Sequence, residues 1–203
     1  NLVRELRNAL GKQKLISFAA GGFQKYFDSS IAWHEVEPYL DFVNMMTYDL
    51  VHGYSTVTGH HTNLYSTRPG EESAENTVNF FKKINFPLEK VILGAGFYMR
   101  EFENVSPANW GLYQPTKFLG FVDYKDGVKK YTGANGYTFL WDKVAKAPYW
   151  YNASKKIFVT GDNPTSVRLK CKFIKKEKLG GFMFWELPTD LPRGGLYEAI
   201  NMN

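Results

Sequence analysis

Three polar residues stand together where a short apolar run ends. Residues 41–49 read Asp-Phe-Val-Asn-Met-Met-Thr-Tyr-Asp, and the apolar run is too short for a helix. Such a run is typical of a parallel strand buried on both faces. Parallel α/β folds bind their ligands at the carboxyl ends of strands. We therefore predict that Tyr48 and Asp49 bring a phenol and a carboxylate to a site. The alternative, that they only cap the following loop, stays open at this point.

Other groupings of reactive side chains carry less weight. His60 and His61 are adjacent, so their side chains point apart in an extended chain, and no third ligand is suitably spaced for a metal. We interpret both histidines as loop residues that shape the rim of a cleft. There is no Gly-x-Ser-x-Gly motif for a nucleophilic serine. Gly94-x-Gly96 lacks the third glycine and the helix of a dinucleotide fingerprint. We therefore predict no metal and no cofactor.

The elements that would position these residues alternate between strands and helices. Apolar runs predict four strands, over residues 14–22, 41–49, 91–98 and 181–186. Helical periodicity predicts helices over residues 1–11, 71–85 and 164–179, a short helical or irregular segment over 31–40, and a last short helix containing Leu196 and Ile200. This alternation is typical of βαβ units around a parallel sheet.

The alternation is interrupted over residues 101–160. This segment has no long helical period and is rich in Tyr, Trp, Gly and Pro. We predict a small insertion of strands with one helix, near residues 141–146. Only four strand–helix units then remain, whereas a complete eight-fold barrel takes typically ~250 residues. The chain of 203 residues is predicted to be either a small open sheet or half of a larger structure.

Composition narrows the class of protein. Aromatic residues make up 17% of the sequence, which suits a large aromatic core, or a carbohydrate or nucleobase site. The net charge is +5, but the lysines are scattered except over residues 170–178, which we interpret as the solvated face of a helix and not as a nucleic-acid surface. The single Cys171 excludes an internal disulfide. No apolar run is long enough to cross a bilayer. The sequence opens inside a predicted helix, so we do not expect residue 1 to be a natural start.

Three strand ends carry a resemblance to a known family. Residues 46–49 (Met-Thr-Tyr-Asp), 94–100 (ending in Tyr-Met-Arg) and 180–185 (Gly-Gly-Phe-Met-Phe-Trp) look like successive strand-end motifs of glycoside hydrolase family 18, the chitinases and their relatives. The resemblance implies an α/β fold, the (β/α)8 TIM barrel. Residues 1–100 and 161–203 would supply about strands five to eight, and residues 101–160 would be the family's small α+β insertion.

The resemblance also implies a mechanism and a set of site residues. Family 18 is substrate-assisted: the acetyl carbonyl of an N-acetylglucosamine unit attacks the anomeric carbon. Tyr48 would donate a hydrogen bond to that carbonyl, and Asp49 would stabilise nearby cationic character; these are the two catalytic residues. The implied substrate-binding residues are Met46 under the acetyl group, Trp185 as the floor of the sugar ring, and Tyr98 and Arg100 on neighbouring sugars.

The sequence departs from the family pattern in one respect that bears on its activity. The aspartate-rich motif of the fourth strand, which leads to the catalytic glutamate, is absent from this sequence, and Glu35, Glu37 and Glu186 do not stand in that context. We expect that glutamate to lie upstream, so that the isolated chain is an inactive part of a glycosidase acting on chitin or chitooligosaccharides. The alternatives are a non-catalytic chitin-binding lectin of the same fold, or a piece with no function of its own.

Partners and location follow from the same reasoning. Half a barrel leaves unpaired strand edges, so we expect the chain to pair with its missing amino-terminal half-barrel or with a second copy. The expected ligand is chitin or an N-acetylglucosamine oligosaccharide, with no nucleic-acid and no membrane partner. Family habit implies an extracellular or periplasmic protein.

Overall fold

The computed structural model describes residues 2–201 and contains two sheets with surrounding helices. The helices are α1 Leu2–Leu10, α2 Gln24–Ser29, α3 Trp33–Val36, α4 Ala74–Lys83, α5 Tyr124–Lys130, α6 Pro164–Glu177 and α7 Leu196–Asn201. The strands are β1 Ser17–Gly21, β2 Phe42–Met46, β3 Val91–Gly96, β4 Tyr98–Glu103, β5 Lys117–Asp123, β6 Thr138–Asp142, β7 Ala147–Asn152, β8 Ile157–Thr160 and β9 Gly181–Trp185. The predicted mixture of strands and helices is confirmed.

The first sheet is parallel, with strand order β1-β2-β3-β9. Its register pairs Gly21 with Met46 and Gly96 with Trp185, so the carboxyl ends of neighbouring strands lie at one edge. Within residues 2–201 the sheet is open, and β1 and β9 are its edge strands. Side chains of α4 and α6 share one core cluster with β2 and β3; its members include Val43, Met45, Leu93, Val78, Phe81, Phe173 and Ile174.

The two faces of β2 are buried to different degrees. Val43 and Met45 are fully buried, whereas Phe42, Asn44 and Met46 on the other face are partly exposed. The prediction that this strand is buried on both faces is therefore correct for one face only. The helix-facing side chains of β2 are therefore fully covered, whereas its opposite face, which includes Met46, is covered only in part.

Helix α1 lies on the protein with its apolar face largely uncovered. Leu2, Leu6 and Leu10 are 73%, 40% and 47% exposed. The helix is held by Arg7, whose guanidinium donates to the carbonyl of Tyr39 and to the carboxylate of Asp41. A groove of about 630 Å³ lies between α1 and the segment around α3. No helix among residues 2–201 is long and apolar enough to span a bilayer.

The third predicted strand is in fact two strands. The chain leaves the parallel sheet after Gly96, and β4 belongs to a second, antiparallel sheet with strand order β5-β4-β8-β7-β6. The turning point is Phe97, whose N–H donates to the carbonyl of Trp185 at 2.6 Å and whose own carbonyl accepts from Tyr124. The prediction of one strand over 91–98 is wrong because these two hydrogen bonds divert the backbone. As a consequence, Arg100 lies on the antiparallel sheet.

The helix predicted near residues 141–146 is absent, and the helix of this region is α5. Residues 138–152 instead form the β6–β7 hairpin. The carboxylate of Asp142 accepts from the N–H groups of Val144 and Ala145, and Lys146 adopts a left-handed conformation with φ 55°. An aspartate that binds the backbone two and three residues ahead favours a turn over a helix.

One lysine of the run over residues 170–178 is not solvated as predicted. Lys170 is fully buried, and its Nζ donates to Asp162 Oδ2 at 2.5 Å and to Thr62 Oγ1 at 2.6 Å. Ser166 donates to the other carboxylate oxygen at 2.6 Å. Burial lowers the pKa of Lys170, although the carboxylate of Asp162 acts to raise it. The prediction fails here because the residue lies on the inner face of α6, where a buried carboxylate pairs with it.

Candidate active site

A pocket of about 440 Å³ opens at the carboxyl ends of the parallel strands. All six predicted site residues line it, namely Met46, Tyr48, Asp49, Tyr98, Arg100 and Trp185. Four further lining residues were not predicted, namely Phe121, Asp123, Glu186 and Thr189. The strand ends of β2 and β9 and the first residues of β4 therefore deliver their side chains to one space.

Asp49 is the charged centre of this pocket. Its Oδ1 accepts from Arg100 Nε at 2.6 Å and from Arg100 Nη2 at 2.6 Å, and it also accepts from the hydroxyl of Tyr98. Burial acts to raise the pKa of Asp49, but the hydrogen bonds from Arg100 and Tyr98 outweigh it and hold the pKa well below its usual range. Asp49 is therefore an ionised, oriented carboxylate at neutral pH.

The lowered pKa of Asp49 predicts a contribution to stability that depends on pH. A carboxyl whose pKa is lower in the folded state adds stability above its unfolded pKa of about 4, and that stability is lost as the pH falls towards the folded value. We expect Asp49→Asn to lower the free energy of unfolding by roughly 1 kcal/mol near neutral pH, since the carboxylate is 39% exposed and solvent screens it. Below pH ~4 the difference from the native protein should shrink.

Urea unfolding of both proteins across the acid range measures this difference. Asp126→Asn is a matched control, because Asp126 is 58% exposed and has only a 4.0 Å contact with Lys129. A gap between native protein and Asp49→Asn that stays constant between neutral and acid pH would contradict the lowered pKa.

Tyr48 is a buried phenol with a free hydroxyl. The residue is 7% exposed, and the only polar contact of its hydroxyl among residues 2–201 is the sulfur of Met183, at 3.9 Å. Burial, together with the charge of Asp49, raises the pKa of Tyr48 to about 12. Gly94 makes room for the ring, because a Cβ there would lie 3.1 Å from Tyr48 Cε1. Tyr48 is therefore a protonated donor whose hydrogen bond is available to a ligand.

Trp185 presents its ring to the pocket and is not a core residue. It is 57% exposed at the end of β9, although its backbone carbonyl is fixed by Phe97. A half-exposed indole at a strand end provides a flat apolar surface of the kind that stacks on a ring-shaped ligand.

Thr47, the third polar residue of the β2 end, has a different role: it is buried and joins β2 to β3 through two hydrogen bonds with Gly94.

Tyr98 and Arg100 reach the pocket with their donors already engaged. The hydroxyl of Tyr98 and two guanidinium nitrogens of Arg100 are directed at Asp49. The hydrogen bonds to Asp49 and its charge raise the pKa of Arg100 against the effect of burial. In this structure the two residues hold Asp49, and their predicted contacts with neighbouring sugars stay a prediction.

Two of the four unpredicted lining residues come from β5. Phe121 is 68% exposed, and its ring lies 6.3 Å from that of Tyr98 in a T-shaped arrangement. Asp123 pairs with Tyr98 across the β4–β5 ladder and lies 3.3 Å from Lys125. The apolar run over residues 118–122 is a strand signal in the sequence, but only the tertiary pairing of β5 with β4 brings Phe121 and Asp123 to the pocket.

Both adjacent histidines are buried, and neither lines the pocket. His60 is 1% exposed with Nε2 3.1 Å from Asp142, and His61 is fully buried against Asp49. The interpretation as rim residues is wrong because the loop that carries them runs between the two sheets, where His61 N–H donates to Thr160. Among residues 2–201, no three His, Cys, Asp or Glu side chains are grouped so as to hold a metal ion.

Comparisons with known proteins give the chain its relatives. It is 31% identical to Chitinase A1 of Niallia circulans over 94% of this chain and 31% of that protein. It is 35% identical to the oviduct-specific glycoprotein of Sus scrofa over 76% of this chain and 30% of that protein. The structure of a glycoside hydrolase family 18 N-acetylglucosaminidase from Paenibacillus barengoltzii superimposes with a TM-score of 0.89 and 37% identity, covering 98% of this chain and 61% of that one.

These matches establish the family of the chain but not its activity. The chain spans between about a third and three fifths of the length of these relatives, and their names differ, so membership of a family does not by itself fix an activity. The family model described as Glycosyl hydrolases family 18 matches residues 1–190. With nearly the whole sequence covered by that match, the chain belongs to the glycosyl hydrolases of family 18.

Proposed function

We propose that this chain is part of a glycosidase that hydrolyses chitin or chitooligosaccharides by the substrate-assisted, retaining mechanism. One observation carries the proposal: a protonated phenol, with no oxygen or nitrogen partner among residues 2–201, stands beside an ionised carboxylate and a half-exposed indole in one pocket. The relatives named as a chitinase and as an N-acetylglucosaminidase support the substrate class.

In this mechanism the substrate supplies the nucleophile. The acetamido carbonyl oxygen forms a bond to the anomeric carbon as the bond to the leaving oxygen breaks, and that oxygen takes a proton from a carboxylic acid. Water then attacks the anomeric carbon and breaks its bond to the acetamido oxygen, while the same carboxylate takes a proton from the water; this restores the acetamido group and the acid and retains the anomeric configuration. The enzyme must hold the carbonyl in line and stabilise positive charge that develops near it.

The residues of this chain suit those tasks. The hydroxyl of Tyr48 would donate to the acetamido carbonyl, since its proton is not engaged by another oxygen. The carboxylate of Asp49 would stabilise the developing positive charge, because the interactions with Arg100 and Tyr98 keep it ionised and fixed. Trp185 would form the floor under the sugar ring, and the partly exposed Met46 would pack against the acetyl group.

The acid that protonates the leaving oxygen is proposed to lie outside this chain. No glutamate of the sequence stands in the family's acidic motif. We propose that residues 1–100 and 161–203 supply about strands five to eight of a TIM barrel, with residues 101–160 as its insertion, and that the upstream half supplies the glutamate. The open edges β1 and β9 and the uncovered apolar face of α1 support pairing with that half, or with a second copy. An extracellular or periplasmic location is proposed from the family alone.

Three tetrasaccharides test the proposal on the complete protein. N-acetylchitotetraose should be cleaved with the β-anomer formed first, as followed by proton NMR. Cellotetraose and fully deacetylated chitotetraose, which share the β-1,4 linkage but lack the acetyl carbonyl, should not be cleaved. The isolated chain should cleave none of them, because loss of a general acid alone removes about 10²–10⁴ in rate.

The opposite outcomes are distinct. Cleavage of the deacetylated tetramer, or release of the α-anomer, would contradict the substrate-assisted mechanism. Binding of N-acetylchitotetraose by the complete protein without any cleavage would favour the lectin alternative. Cleavage by the isolated chain would show that the acid lies within the chain, where Glu186 already lines the pocket.

A further inference from the structure

His61 is a buried side chain that the proposed mechanism does not use. Its side chain is fully buried next to Asp49, one of the two proposed catalytic residues. The N–H of Leu50 donates to the carbonyl of His61 at 3.1 Å, and the N–H of Asp49 points to its Nδ1 at 3.4 Å. Its ring lies 5.3 Å from the ring of Tyr98. One residue therefore touches both Asp49 and a residue that binds the carboxylate of Asp49.

The residues around His61 restrict where its ring can lie. Its backbone N–H donates to Thr160 Oγ1 at 3.2 Å, which fixes the residue to the end of β8. A Cβ at Gly96 would lie 3.2 Å from His61 Cε1 and 3.0 Å from Tyr98 Cε1, so the glycine is what admits both rings. The imidazole is consequently packed against Asp49 with its Nδ1 edge facing that residue.

The backbone of Asp49 needs such a support. Asp49 has φ 59°, in the left-handed region that residues other than glycine rarely adopt, although aspartate adopts it more often than most because its side chain can hydrogen-bond locally. Residues in such conformations persist where their surroundings hold them, and they cluster at functional sites. The two hydrogen bonds from Asp49 and Leu50 to His61 bracket the left-handed residue on its amino and carboxyl sides.

The protonation of His61 follows from its contacts. Nδ1 accepts from the N–H of Asp49, which places the proton on Nε2, a buried atom with no partner among residues 2–201. The alternative tautomer would direct Nδ1–H at Asp49 Oδ1 over 3.7 Å, beyond hydrogen-bond length. Burial lowers the pKa of His61; Asp49 and Asp162 act to raise it and Arg100 to lower it. The ring is neutral at neutral pH.

We propose that His61 is a positioning residue that holds Asp49 in its left-handed conformation through Nδ1, so that the carboxylate of Asp49 faces the pocket beside Tyr48. This inference rests on the proposed function for its catalytic consequence, but the hydrogen bond itself does not. His61 touches no substrate. It acts through Asp49 and through the ring of Tyr98.

Three substitutions in the complete protein separate the role of Nδ1 from that of the ring. The amide oxygen of His61→Asn reaches the position of Nδ1, that of His61→Gln reaches the position of Nε2, and His61→Leu fills the space without an acceptor. With N-acetylchitotetraose, we expect His61→Asn to keep kcat close to the native value. His61→Gln and His61→Leu should lower kcat about 10- to 100-fold with little change in KM, because a misplaced catalytic group loses rate and not ground-state binding.

A purely structural role would give a different pattern. In that case kcat would follow stability, and His61→Asn, which leaves the largest cavity, would be no better than His61→Leu. Equal loss of kcat in the Asn and Leu variants would overturn the proposal.

A measurement without turnover keeps this test independent of the proposed function. In native protein labelled with ¹⁵N-histidine, the Nδ1 resonance of His61 at neutral pH should be that of an acceptor nitrogen and the Nε2 resonance that of a protonated one. A protonated Nδ1 at neutral pH would overturn the assignment. If the native protein shows no turnover, the proposed function is refuted. The NMR result would still show whether Nδ1 of His61 accepts the hydrogen bond from Asp49.

Discussion

Replacing Tyr48 by phenylalanine is expected to lower kcat of the complete protein on N-acetylchitotetraose by about 10²–10³-fold, the usual effect of removing one fixed donor from a site of developing charge. The substitution removes only a hydroxyl. That hydroxyl contacts nothing polar among residues 2–201 except the sulfur of Met183 at 3.9 Å, so no buried group loses an oxygen or nitrogen partner. Stability should therefore stay within about 0.5 kcal/mol of the native value.

Steady-state kinetics and urea unfolding on the same preparation separate the two effects. Tyr197→Phe removes a hydroxyl from a tyrosine that is 48% exposed on α7, and it should change neither kcat nor stability. An increase of KM at constant kcat in Tyr48→Phe would mean that the hydroxyl binds ground state and transition state equally. Unchanged kcat and KM would remove Tyr48 from the mechanism.

The raised pKa of Tyr48 adds a condition that the same kinetics can check. With a pKa of about 12, the phenol stays protonated through neutral and mildly alkaline pH. If kcat falls at a pH below 12, the group that titrates must then be another one. The fall should occur at the same pH in Tyr48→Phe, although kcat of that variant is lower at every pH. A fall that disappears with the hydroxyl would show that the phenol ionises earlier.

Local sequence signals predicted where the strands that lead to the site end. The apolar runs of β2 and β9 each end in residues that a buried strand does not need, and the structure places Tyr48, Asp49 and Trp185 at those ends. A parallel strand keeps its apolar character until it reaches the edge of the sheet, so the first polar or half-exposed residues mark that edge. Residue type and order therefore indicated Tyr48 and Asp49 as candidate site residues, whereas Trp185 was predicted through the family resemblance.

The remainder of the site depends on contacts that local patterns do not encode. Phe121 reaches the pocket because β5 pairs with β4, and His61 reaches Asp49 because a loop passes between the two sheets. The break after Gly96 is set by a hydrogen bond from Phe97 to Trp185, which lies far along the chain. Long-range pairing overrides an uninterrupted apolar run in such a case.

Lys170 illustrates the same limit for charged residues. In the sequence it is one of several lysines on α6, and only the helix phase together with Asp162 makes it a buried ion pair. The pair links three parts of the fold: Thr62 from the loop that carries His61, Asp162 after β8, and α6 itself. A buried charge in this setting is held by its partners, so its removal has consequences beyond its own side chain.

Substituting Lys170 by methionine is expected to lower the free energy of unfolding by about 3–5 kcal/mol, because it leaves the carboxylate of Asp162 buried without its counter-charge. Methionine has a similar length and fills the same space, so little of this loss comes from a cavity. Thr62 and Ser166 still donate to Asp162, which favours the lower part of that range. A loss of this size is a large fraction of the total stability of a typical domain, about 5–15 kcal/mol.

Urea unfolding of a small set of variants checks the origin of this loss. Lys172→Met is the matched control on the exposed side of α6, and it should stay within about 0.5 kcal/mol of the native protein. Lys170→Met/Asp162→Asn removes both charges and should recover part of the loss, since an unpaired charge no longer remains in the interior. If the single variant does not fold, recovery of folding in the double variant gives the same answer. Two results would show that the pair does not hold the loop of His61 to α6. One is a loss of unfolding free energy in the double variant that exceeds the sum of the losses in the two single variants. The other is a Lys170→Met variant as stable as Lys172→Met.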